Sequence, residues 1–248
     1  MQKIATFDVW GTLIVPDRDR FVRELCQSIQ RELSKYGYDI SIDKIIEYFD
    51  IVDREIRKRR KNELTYIPPE ESVKKLLEKI LERPISMNIV DDVEDSICRT
   101  VSETESVYPA DGVYEVLKMF RDLGYRIAIV SNVVFWRSRA TRRLLKRFNL
   151  DKFDVEIYAD IVKEVKPNTR MLKFVENELN GEVVIHIGDS LFEDVAMAIA
   201  YGVKAVFIDR RRQILKNGEY SVDLGGRVIV VDKIRSILKP EIINMIKI

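Results

Sequence analysis

The stretch that decides the fold is Ile4-Ala5-Thr6-Phe7-Asp8-Val9-Trp10-Gly11-Thr12-Leu13-Ile14, close to the start of the chain. Residues 3–7 predict a buried strand, and the apolar run stops at a carboxylate, a glycine and a threonine. Ligands of α/β proteins bind at the carboxyl ends of strands, so Asp8 and Thr12 are candidate functional residues. Trp10 stands two residues after Asp8 and carries no ionisable group.

A segment with helical patterning follows, from about residue 20 to about residue 105. Ser41 is a predicted N-cap, and Pro68-Pro69 followed by two glutamates predicts the start of another helix. Because this segment is inserted directly after a strand end, we expect it to lie where a lid over an active site would lie. Four sets of apolar residues predict four helices: Phe21, Leu25, Ile29 and Leu33; Ile45, Phe49, Val52 and Ile56; Val73, Leu76, Leu77 and Ile80; Val90, Val93, Ile97 and Val101.

Predicted strands and helices alternate in the remainder of the chain, after Tyr108-Pro109. Such alternation predicts a parallel sheet covered by helices on both faces. The predicted strands are 126–130, 155–158, 183–187, 204–208 and 228–231. The predicted helices are 112–123, ending at Gly124, then 136–148, 168–179 and 191–201, and a tail over 232–248 that is broken near Pro240.

Polar residues stand at the ends of the first three of these later strands. Ser131-Asn132 follows the first, and Lys166-Pro167 lies in the loop after the second. Gly188-Asp189-Ser190 follows the third, with Asp194 five residues after Asp189. Since parallel strands end at one edge of a sheet, we expect these side chains to gather around Asp8.

Each of these residue types has a chemical use at such a site. The carboxylate of Asp8 can attack phosphorus or carbon and form a covalent intermediate. Mg²⁺ prefers oxygen ligands in octahedral geometry, which Asp8 and Asp189 can supply. The Ser131 hydroxyl and nearby backbone amides can hold phosphate oxygens. Lys166 can screen crowded carboxylates and stabilise an anionic transition state.

Taken in this order, the motifs resemble those of the haloacid dehalogenase superfamily of hydrolases. Asp8-Val9-Trp10-Gly11-Thr12 is similar to the family's first motif, D-x-D-x-[TV], and Ser131 to the Ser or Thr of its second. Lys166-Pro167 resembles the third motif, and Gly188-Asp189 through Asp194 resembles the fourth, G-D-x-x-x-x-D. The resemblance covers about residues 3–238.

The resemblance implies an α/β fold with a Rossmann-like parallel-sheet core and an inserted α-helical cap. The core would comprise residues 1–15 and 107–248, and the cap residues 16–106. In metal-dependent members the second aspartate of the first motif gives Mg²⁺ its backbone carbonyl, while its side chain does acid/base work. Trp10 keeps that carbonyl and loses the acid/base group.

The resemblance also implies site residues, with Asp8 as the nucleophile. The implied catalytic residues are Asp8, Thr12, Ser131 and Lys166. The implied Mg²⁺ residues are Asp8, Trp10, Asp189 and Asp194, of which Asp194 is expected in a supporting position. The implied substrate-binding residues are Trp10, Ser131, Asn132 and Lys166.

Three functions stay open at this point because of Trp10. The leading one is a Mg²⁺-dependent phosphatase acting through an aspartate nucleophile on a small phosphorylated metabolite, which Asp189 and Asp194 favour. The second is a metal-independent 2-haloacid dehalogenase, since those enzymes carry an aromatic residue where this chain has Trp10. The third is a non-catalytic protein that keeps the fold and a phosphate or metal site.

Composition bounds the remaining possibilities. The 248 residues are 46% hydrophobic and 33% charged, so a sizeable core is expected, and the charged share with few Gln is typical of thermophiles. A formal net charge of +1 predicts no general attraction to nucleic acid or membranes, so the expected partner is a small anionic substrate. Two cysteines, no apolar run of membrane-spanning length and no signal peptide predict a cytoplasmic protein. The oligomeric state is not predicted.

Several other residues invite a functional interpretation but have a structural one. His186, the single histidine, lies in an apolar strand and is interpreted as a core residue. The basic run Arg54–Lys61 is interpreted as a solvated helix face, whereas Arg137–Arg147 begins just beyond Ser131 and is a candidate border of the active site. Asp209–Arg212 is interpreted as a surface loop, and Cys26 and Cys98 are predicted to be buried thiols.

Overall fold

The structure of the chain, a computed structural model, describes residues 1–215 and 220–247. Its centre is a seven-stranded sheet in the order β5-β4-β1-β6-β7-β9-β8. Every pairing in this sheet is parallel except that of β8 with β9, which is antiparallel. The strands are β1 Lys3–Phe7, β4 Arg126–Ser131, β5 Val155–Tyr158, β6 Glu182–Gly188, β7 Lys204–Ile208, β8 Tyr220–Asp223 and β9 Val228–Val231.

The predicted α/β Rossmann-like class is confirmed, and the five predicted later strands are β4, β5, β6, β7 and β9. The strand β8 was not predicted. Its four residues, Tyr-Ser-Val-Asp, form no continuous apolar run. β8 lies at the edge of the sheet, where a strand is less completely buried than a central strand and can contain polar residues.

Four consecutive helices occupy the predicted insert. They begin as the sequence indicates: the Ser41 side chain accepts a hydrogen bond from the backbone N of Lys44 at 3.3 Å, and Pro69 is the first residue of the third helix. The division of the chain at residues 15/16 and 106/107 stays a prediction. The helices are α1 Arg18–Lys35, α2 Ile42–Glu63, α3 Pro69–Leu81 and α4 Met87–Glu103.

A short ribbon joins the two ends of this helical segment. β2, Ile14–Pro16, pairs antiparallel with β3, Val107–Pro109. Neither strand was predicted, because three residues ending in proline carry almost no alternation signal. The chain therefore enters the helical segment and returns from it at adjacent positions, because Pro16 pairs with Val107.

The other helices cover the two faces of the sheet. The positive φ of Gly124, 82°, ends α5 at the predicted stop. The predicted helix over 191–201 begins as one turn of π-helix, Leu191–Val195, and the predicted tail is a 3₁₀ turn, Ile234–Leu238, followed by a helix from Pro240; Ile248 lies outside the described residues. The helices are α5 Val113–Asp122, α6 Ser138–Arg147, α7 Ala159–Val162, α8 Arg170–Leu179, α9 Ala196–Tyr201 and α10 Pro240–Ile246.

One apolar core runs from one face of the sheet into the helical segment. It includes Phe7 of the sheet, Phe120 of α5, and Phe21 and Leu76 of the four-helix segment, all buried. A second cluster on the other face packs α8 against the sheet through Met171 and neighbours. No helix in the described part of the chain combines the length and apolar character that a bilayer crossing requires.

Candidate active site

The central strands bring the predicted residues together. β1 lies between β4 and β6, and its last residue, Phe7, is in register with Ile129 of β4 and Ile187 of β6. Asp8 therefore emerges beside Ser131 and Asp189, and its backbone N donates to the carbonyl of Ile187 at 2.9 Å. The expected gathering of strand-end side chains is what the parallel register produces.

A buried lysine lies between two carboxylates at this edge. Lys166 Nζ is 2.6 Å from Asp8 Oδ1 and 2.7 Å from Asp194 Oδ1, and its side chain is 1% exposed. Ser131 Oγ also donates to Asp8 Oδ1, at 3.2 Å. Because Lys166 and Ser131 both donate to the same oxygen, they fix the rotation of the Asp8 carboxylate.

Asp194 is held on both of its oxygens. Besides Lys166, Oδ1 contacts Nε2 of His186 at 2.9 Å, and Oδ2 accepts from the backbone N of Ser190 at 3.0 Å. His186 is fully buried, as predicted for a core histidine, and its Nδ1 lies 2.8 Å from the Thr6 hydroxyl. The hydrogen bonds of Asp194 thus go to protein groups, which fits the expected supporting position.

Two glycines make room for the acidic side chains. A Cβ on Gly11 would lie 2.1 Å from Asp189 Oδ2, and one on Gly188 would lie 2.2 Å from Cγ of Asp194. Gly11 also has a φ of 82°, a conformation that side chains disfavour. The glycines of the first and fourth motifs are therefore needed because carboxylates pack directly on the backbone.

The electrostatics of the site show an excess of negative charge. Burial raises the pKa of Asp8 to about 7; Lys166 opposes this shift, and Asp194 and Asp189 add to it. Burial likewise raises the pKa of Asp189 to about 6, with Asp194 adding to the shift. Asp194 differs, since Lys166 and His186 outweigh its burial and hold its pKa below the usual range. The single cation of Lys166 is shared by Asp8 and Asp194, and the raised pKa values of Asp8 and Asp189 mark carboxyls that remain under-compensated.

These residues fit a divalent cation. Asp8, Asp189 and Asp194 each offer an oxygen, and the three atoms lie within 4.8 Å of one another. Hard oxygen donors at such spacing suit Mg²⁺, and the raised pKa values of Asp8 and Asp189 are the expected sign of carboxylates that a cation would stabilise.

The Trp10 side chain packs among aromatic residues. Its ring stacks on Phe21 of α1 with centroids 5.4 Å apart and meets Trp136 edge-on at 5.2 Å. The indole nitrogens of Trp10 and Trp136 both donate to the Thr141 hydroxyl, each at 3.2 Å. Trp10 thereby links the first motif to the helical segment and to α6, a packing role that the sequence also allowed.

Asn132, predicted to bind substrate, and Thr12, predicted to be catalytic, are both close to the site. Asn132 accepts from the backbone N of Lys166 at 2.9 Å and donates to its carbonyl at 3.3 Å, so its side chain holds the Lys166 loop. The Thr12 hydroxyl is buried and has no hydrogen-bond partner among the described residues.

Sequence reasoning missed Arg60, a buried arginine from α2. Arg60 is 1% exposed, donates to the carbonyl of Val133 at 2.6 Å and forms an ion pair with Glu193 at 3.3 Å. It therefore ties the helical segment to the loop after Ser131 and to the π-helical turn. The interpretation of Arg54–Lys61 as a solvated face is wrong at this position. The signal was present, since residue 60 continues the apolar stripe of Val52 and Ile56 at i+4 spacing.

Arg210 was missed as well. The interpretation of Asp209–Arg212 as a surface loop is wrong at its first residue, because Asp209 is buried and accepts hydrogen bonds from three backbone amides. Arg210 Nε donates to the carbonyl of Gly11, and its charge lowers the pKa of the nearby Asp189. Its place directly after β7 was the overlooked signal, because it is another strand end.

Two arginines of the second basic run fasten the helical segment, and the place of this run at the border of the site stays a prediction. Arg137 pairs with Glu70 and Glu94, and Arg139 pairs with Glu94 and Asp95. These pairs join the start of α6 to α3 and α4. The predicted burial of both cysteines, Cys26 and Cys98, is confirmed.

A buried lysine between carboxylates at the carboxyl edge of a parallel sheet defines an α/β enzyme with an acidic site. The profile of the haloacid dehalogenase-like hydrolase family matches residues 2–202. The chain therefore belongs to this family of hydrolases, as its four motifs predicted.

Three similar proteins carry phosphatase names. Pyrophosphatase PpaX from Halalkalibacterium halodurans is 36% identical over 105 residues, which are 41% of this chain and 47% of that protein. A phosphoglycolate phosphatase from Cereibacter sphaeroides is 35% identical over 109 residues, 43% of this chain and 47% of that protein. The chain thus spans about half the length of these curated relatives. A crystal structure of a HAD phosphatase from Thermococcus onnurineus matches with a TM-score of 0.58 and 25% identity, covering 88% of this chain and 89% of that one.

Proposed function

We propose that the chain is a Mg²⁺-dependent phosphatase that acts on a small phosphorylated metabolite through Asp8. The observation that carries the proposal is the Lys166 ammonium, 2.6 Å from Asp8 and 2.7 Å from Asp194, beside a third acidic group at Asp189. A nucleophilic carboxylate, a fixed cation and a set of hard oxygen donors are the parts that phosphoryl transfer requires. The phosphatase names of the similar proteins support the same reaction class.

In the proposed reaction the Asp8 carboxylate attacks phosphorus, and the bond from phosphorus to the leaving group breaks. Water then attacks the aspartyl phosphate, which releases phosphate and restores the carboxylate. Ser131 and Lys166 hold Asp8 in one rotamer and offer their hydrogens to the transferring group. Asp8, Asp189 and the Trp10 carbonyl would hold Mg²⁺, with Asp194 in support. The metal would supply positive charge next to the phosphoryl oxygens.

The Trp10 side chain has a consequence for the choice of substrate. The indole of Trp10 cannot act as a general acid toward a leaving group. Its ring packs on Phe21 and Trp136, and its N–H donates to the Thr141 hydroxyl. General acid help is worth about 10²–10⁴-fold in rate. The proposed substrates are therefore those whose leaving group departs readily as an anion, such as anhydrides, acyl phosphates and aryl phosphates.

The test is hydrolysis of an aryl phosphate by the purified protein, with Mg²⁺ and with chelator. We expect turnover only with Mg²⁺, its loss in Asp8→Asn, and its retention in Asp19→Asn, a matched change at an exposed aspartate. Equal turnover by wild type and Asp8→Asn would refute the nucleophile assignment. Turnover undiminished by chelator would refute the metal dependence.

One observation keeps a second candidate function, the metal-independent 2-haloacid dehalogenase. Trp10 places an aromatic residue in the first motif, although its packing on Phe21 accounts for it without that chemistry. The candidate predicts halide release from a short 2-haloacid in the presence of chelator, and absence of release across several such acids would dismiss it. Any turnover abolished by Asp8→Asn would dismiss the remaining possibility of a binding protein without catalysis.

A further inference from the structure

A continuous buried chain of hydrogen bonds leads from the middle of the sheet to Asp8. It passes from the Thr6 hydroxyl to Nδ1 of His186 at 2.8 Å, and from Nε2 of His186 to Asp194 at 2.9 Å. From Asp194 it continues to Lys166 at 2.7 Å and on to Asp8 at 2.6 Å. All five side chains are buried.

The direction of these hydrogen bonds follows from the chemistry of the groups. The Lys166 ammonium and the backbone N of Ser190 both donate to Asp194, so its oxygens act as acceptors, and His186 must carry a proton on Nε2 to bond with it. When the imidazole is neutral, Nδ1 has no hydrogen and can accept the one of the Thr6 hydroxyl, which is also directed toward the carbonyl of Ile185 at 3.2 Å. Asp194 therefore selects the tautomer, and His186 presents it with a fixed donor, while the Thr6 hydroxyl at Nδ1 provides the second hydrogen bond that orients the imidazole.

Asp194 Oδ1 receives this donor on the same atom that binds Lys166. The backbone of Ser190 holds the other oxygen. With His186 and Ser190 in place the Asp194 carboxylate cannot rotate, and the position of the Lys166 ammonium relative to Asp8 is set by a rigid partner. With an apolar residue at position 186, Lys166 would be the one side chain among the described residues that donates to Oδ1, and it would be free to draw the carboxylate toward itself.

We propose that His186 is a positioning residue that places Lys166 against Asp8 by holding Asp194. The inference rests on the proposed function, since it assigns His186 a part in the reaction of the same site. It goes beyond the four motifs, because residue 186 lies two positions before the glycine of the fourth one. Thr6 contacts the other ring nitrogen of His186, so substitution of Thr6 is a second way to disturb this arrangement.

The kinetic test compares His186→Leu, which removes the donor, with His186→Gln, whose amide can restore a donor to Asp194. Loss of a hydrogen bond to a charged group changes an equilibrium or rate constant by about tenfold to a hundredfold. We expect His186→Leu to lower kcat for an aryl phosphate by that factor, with a smaller change in KM, and His186→Gln to recover most of it. Thr6→Val should lower kcat as well, whereas Thr6→Ser, which keeps the hydroxyl, should not.

Circular dichroism and thermal unfolding of each variant show whether it is folded at the assay temperature. A folded His186→Leu protein with wild-type kcat would overturn the proposal. So would a folded His186→Gln protein that is as slow as His186→Leu, because that result indicates packing alone.

A second measurement does not depend on turnover. The chain has one histidine, so its imidazole ¹⁵N and ¹H resonances are assigned without mutagenesis. We expect the proton on Nε2, and we expect the Nε2–H resonance to shift in Lys166→Met, which removes the other donor to Asp194 Oδ1. A proton found only on Nδ1, or a resonance unchanged by Lys166→Met, would overturn the inference. Absence of phosphatase activity in the wild type would refute the proposed function and leave this spectroscopic result to decide the hydrogen-bonded arrangement by itself.

Discussion

Replacement of Lys166 by methionine tests the electrostatics of the site directly. Methionine keeps an unbranched side chain in the buried volume and removes the charge. Three carboxyl groups then face one another: Asp8 and Asp194 without their shared cation, and Asp189 next to both. The site loses its main source of charge compensation.

The size of the effect follows from the burial of the pair. Removing one partner of a buried ion pair costs about 3–5 kcal/mol. For a chain of this length 1 kcal/mol corresponds to about 2–4 °C in Tm, so we expect a loss of about 6–20 °C at pH 8.

The loss should be smaller at pH 5.5. Burial already raises the pKa of Asp8 to about 7, and without Lys166, which lowers it, that pKa rises further. A carboxyl whose pKa is higher in the folded state than in the unfolded state binds more protons when folded, so its contribution to the free energy of unfolding falls as pH rises. At pH 5.5 Asp8 is protonated in both proteins, and the part of the deficit due to its charge disappears.

Thermal unfolding in chelator at pH 5.5 and pH 8, compared with the same scans in Mg²⁺, provides the measurement. We expect Mg²⁺ to restore part of the Tm of the variant at pH 8. The matched control is Lys163→Met at an exposed lysine nearby, which should change Tm little at either pH. A deficit in Lys166→Met that is equal at the two pH values would refute the assignment of raised pKa values to under-compensated carboxyls.

Three further predictions follow from the site. Burial raises the pKa of Asp8 to about 7 and that of Asp189 to about 6, so protons compete with Mg²⁺ for these carboxyls. Calorimetry should show that the Mg²⁺ affinity falls below pH 6 by about tenfold per pH unit for each proton that the metal displaces. A Mg²⁺ affinity that does not change between pH 5 and pH 8 would contradict this. Arg60→Met leaves the half-buried carboxylate of Glu193 and the carbonyl of Val133 unpaired and should lower stability by about 1–3 kcal/mol in denaturant unfolding. Arg59→Met at an exposed neighbour should change it by less than about 0.5 kcal/mol. Because Trp10 offers no proton, hydrolysis should fall about 10²–10⁴-fold from a nitrophenyl to an alkyl phosphate, and Trp10→Asp should weaken this dependence; equal rates on both esters would show another acid at work.

The sheet was predictable because its central strands are buried on both faces. β4, β6 and β7 are runs of Ile, Val, Ala and Phe, which give a continuous apolar signal. β8 at the sheet edge, and the three-residue strands of the ribbon, have no such run. Their pairing is fixed by tertiary contacts that local sequence does not encode.

The residues of the candidate site likewise fall into two groups, those that local sequence predicts and those that only tertiary packing places there. Asp8, Ser131, Lys166 and Asp189 were predictable because each follows a recognisable strand, and parallel strands end together. Arg60 lies over a hundred residues from its partner Glu193 along the chain, and only the tertiary packing that places α2 beside the π-helical turn brings them together. The hydrogen-bonded role of His186 was hidden for a related reason, since an apolar strand shows which residue is buried but not which group it faces.

The ribbon of Ile14–Pro16 and Val107–Pro109 bears on how such a chain can be inherited. Paired residues of an antiparallel ribbon have Cα atoms about 5 Å apart, so Pro16 and Val107 are close enough to be joined by a turn of a few residues. The four helices between them therefore form a cassette with adjoining ends. A single recombination event can exchange or remove such a cassette, and the strand that carries Asp8 keeps its neighbours in the sheet. The four helices and the strand that carries Asp8 can thus change in separate genetic steps.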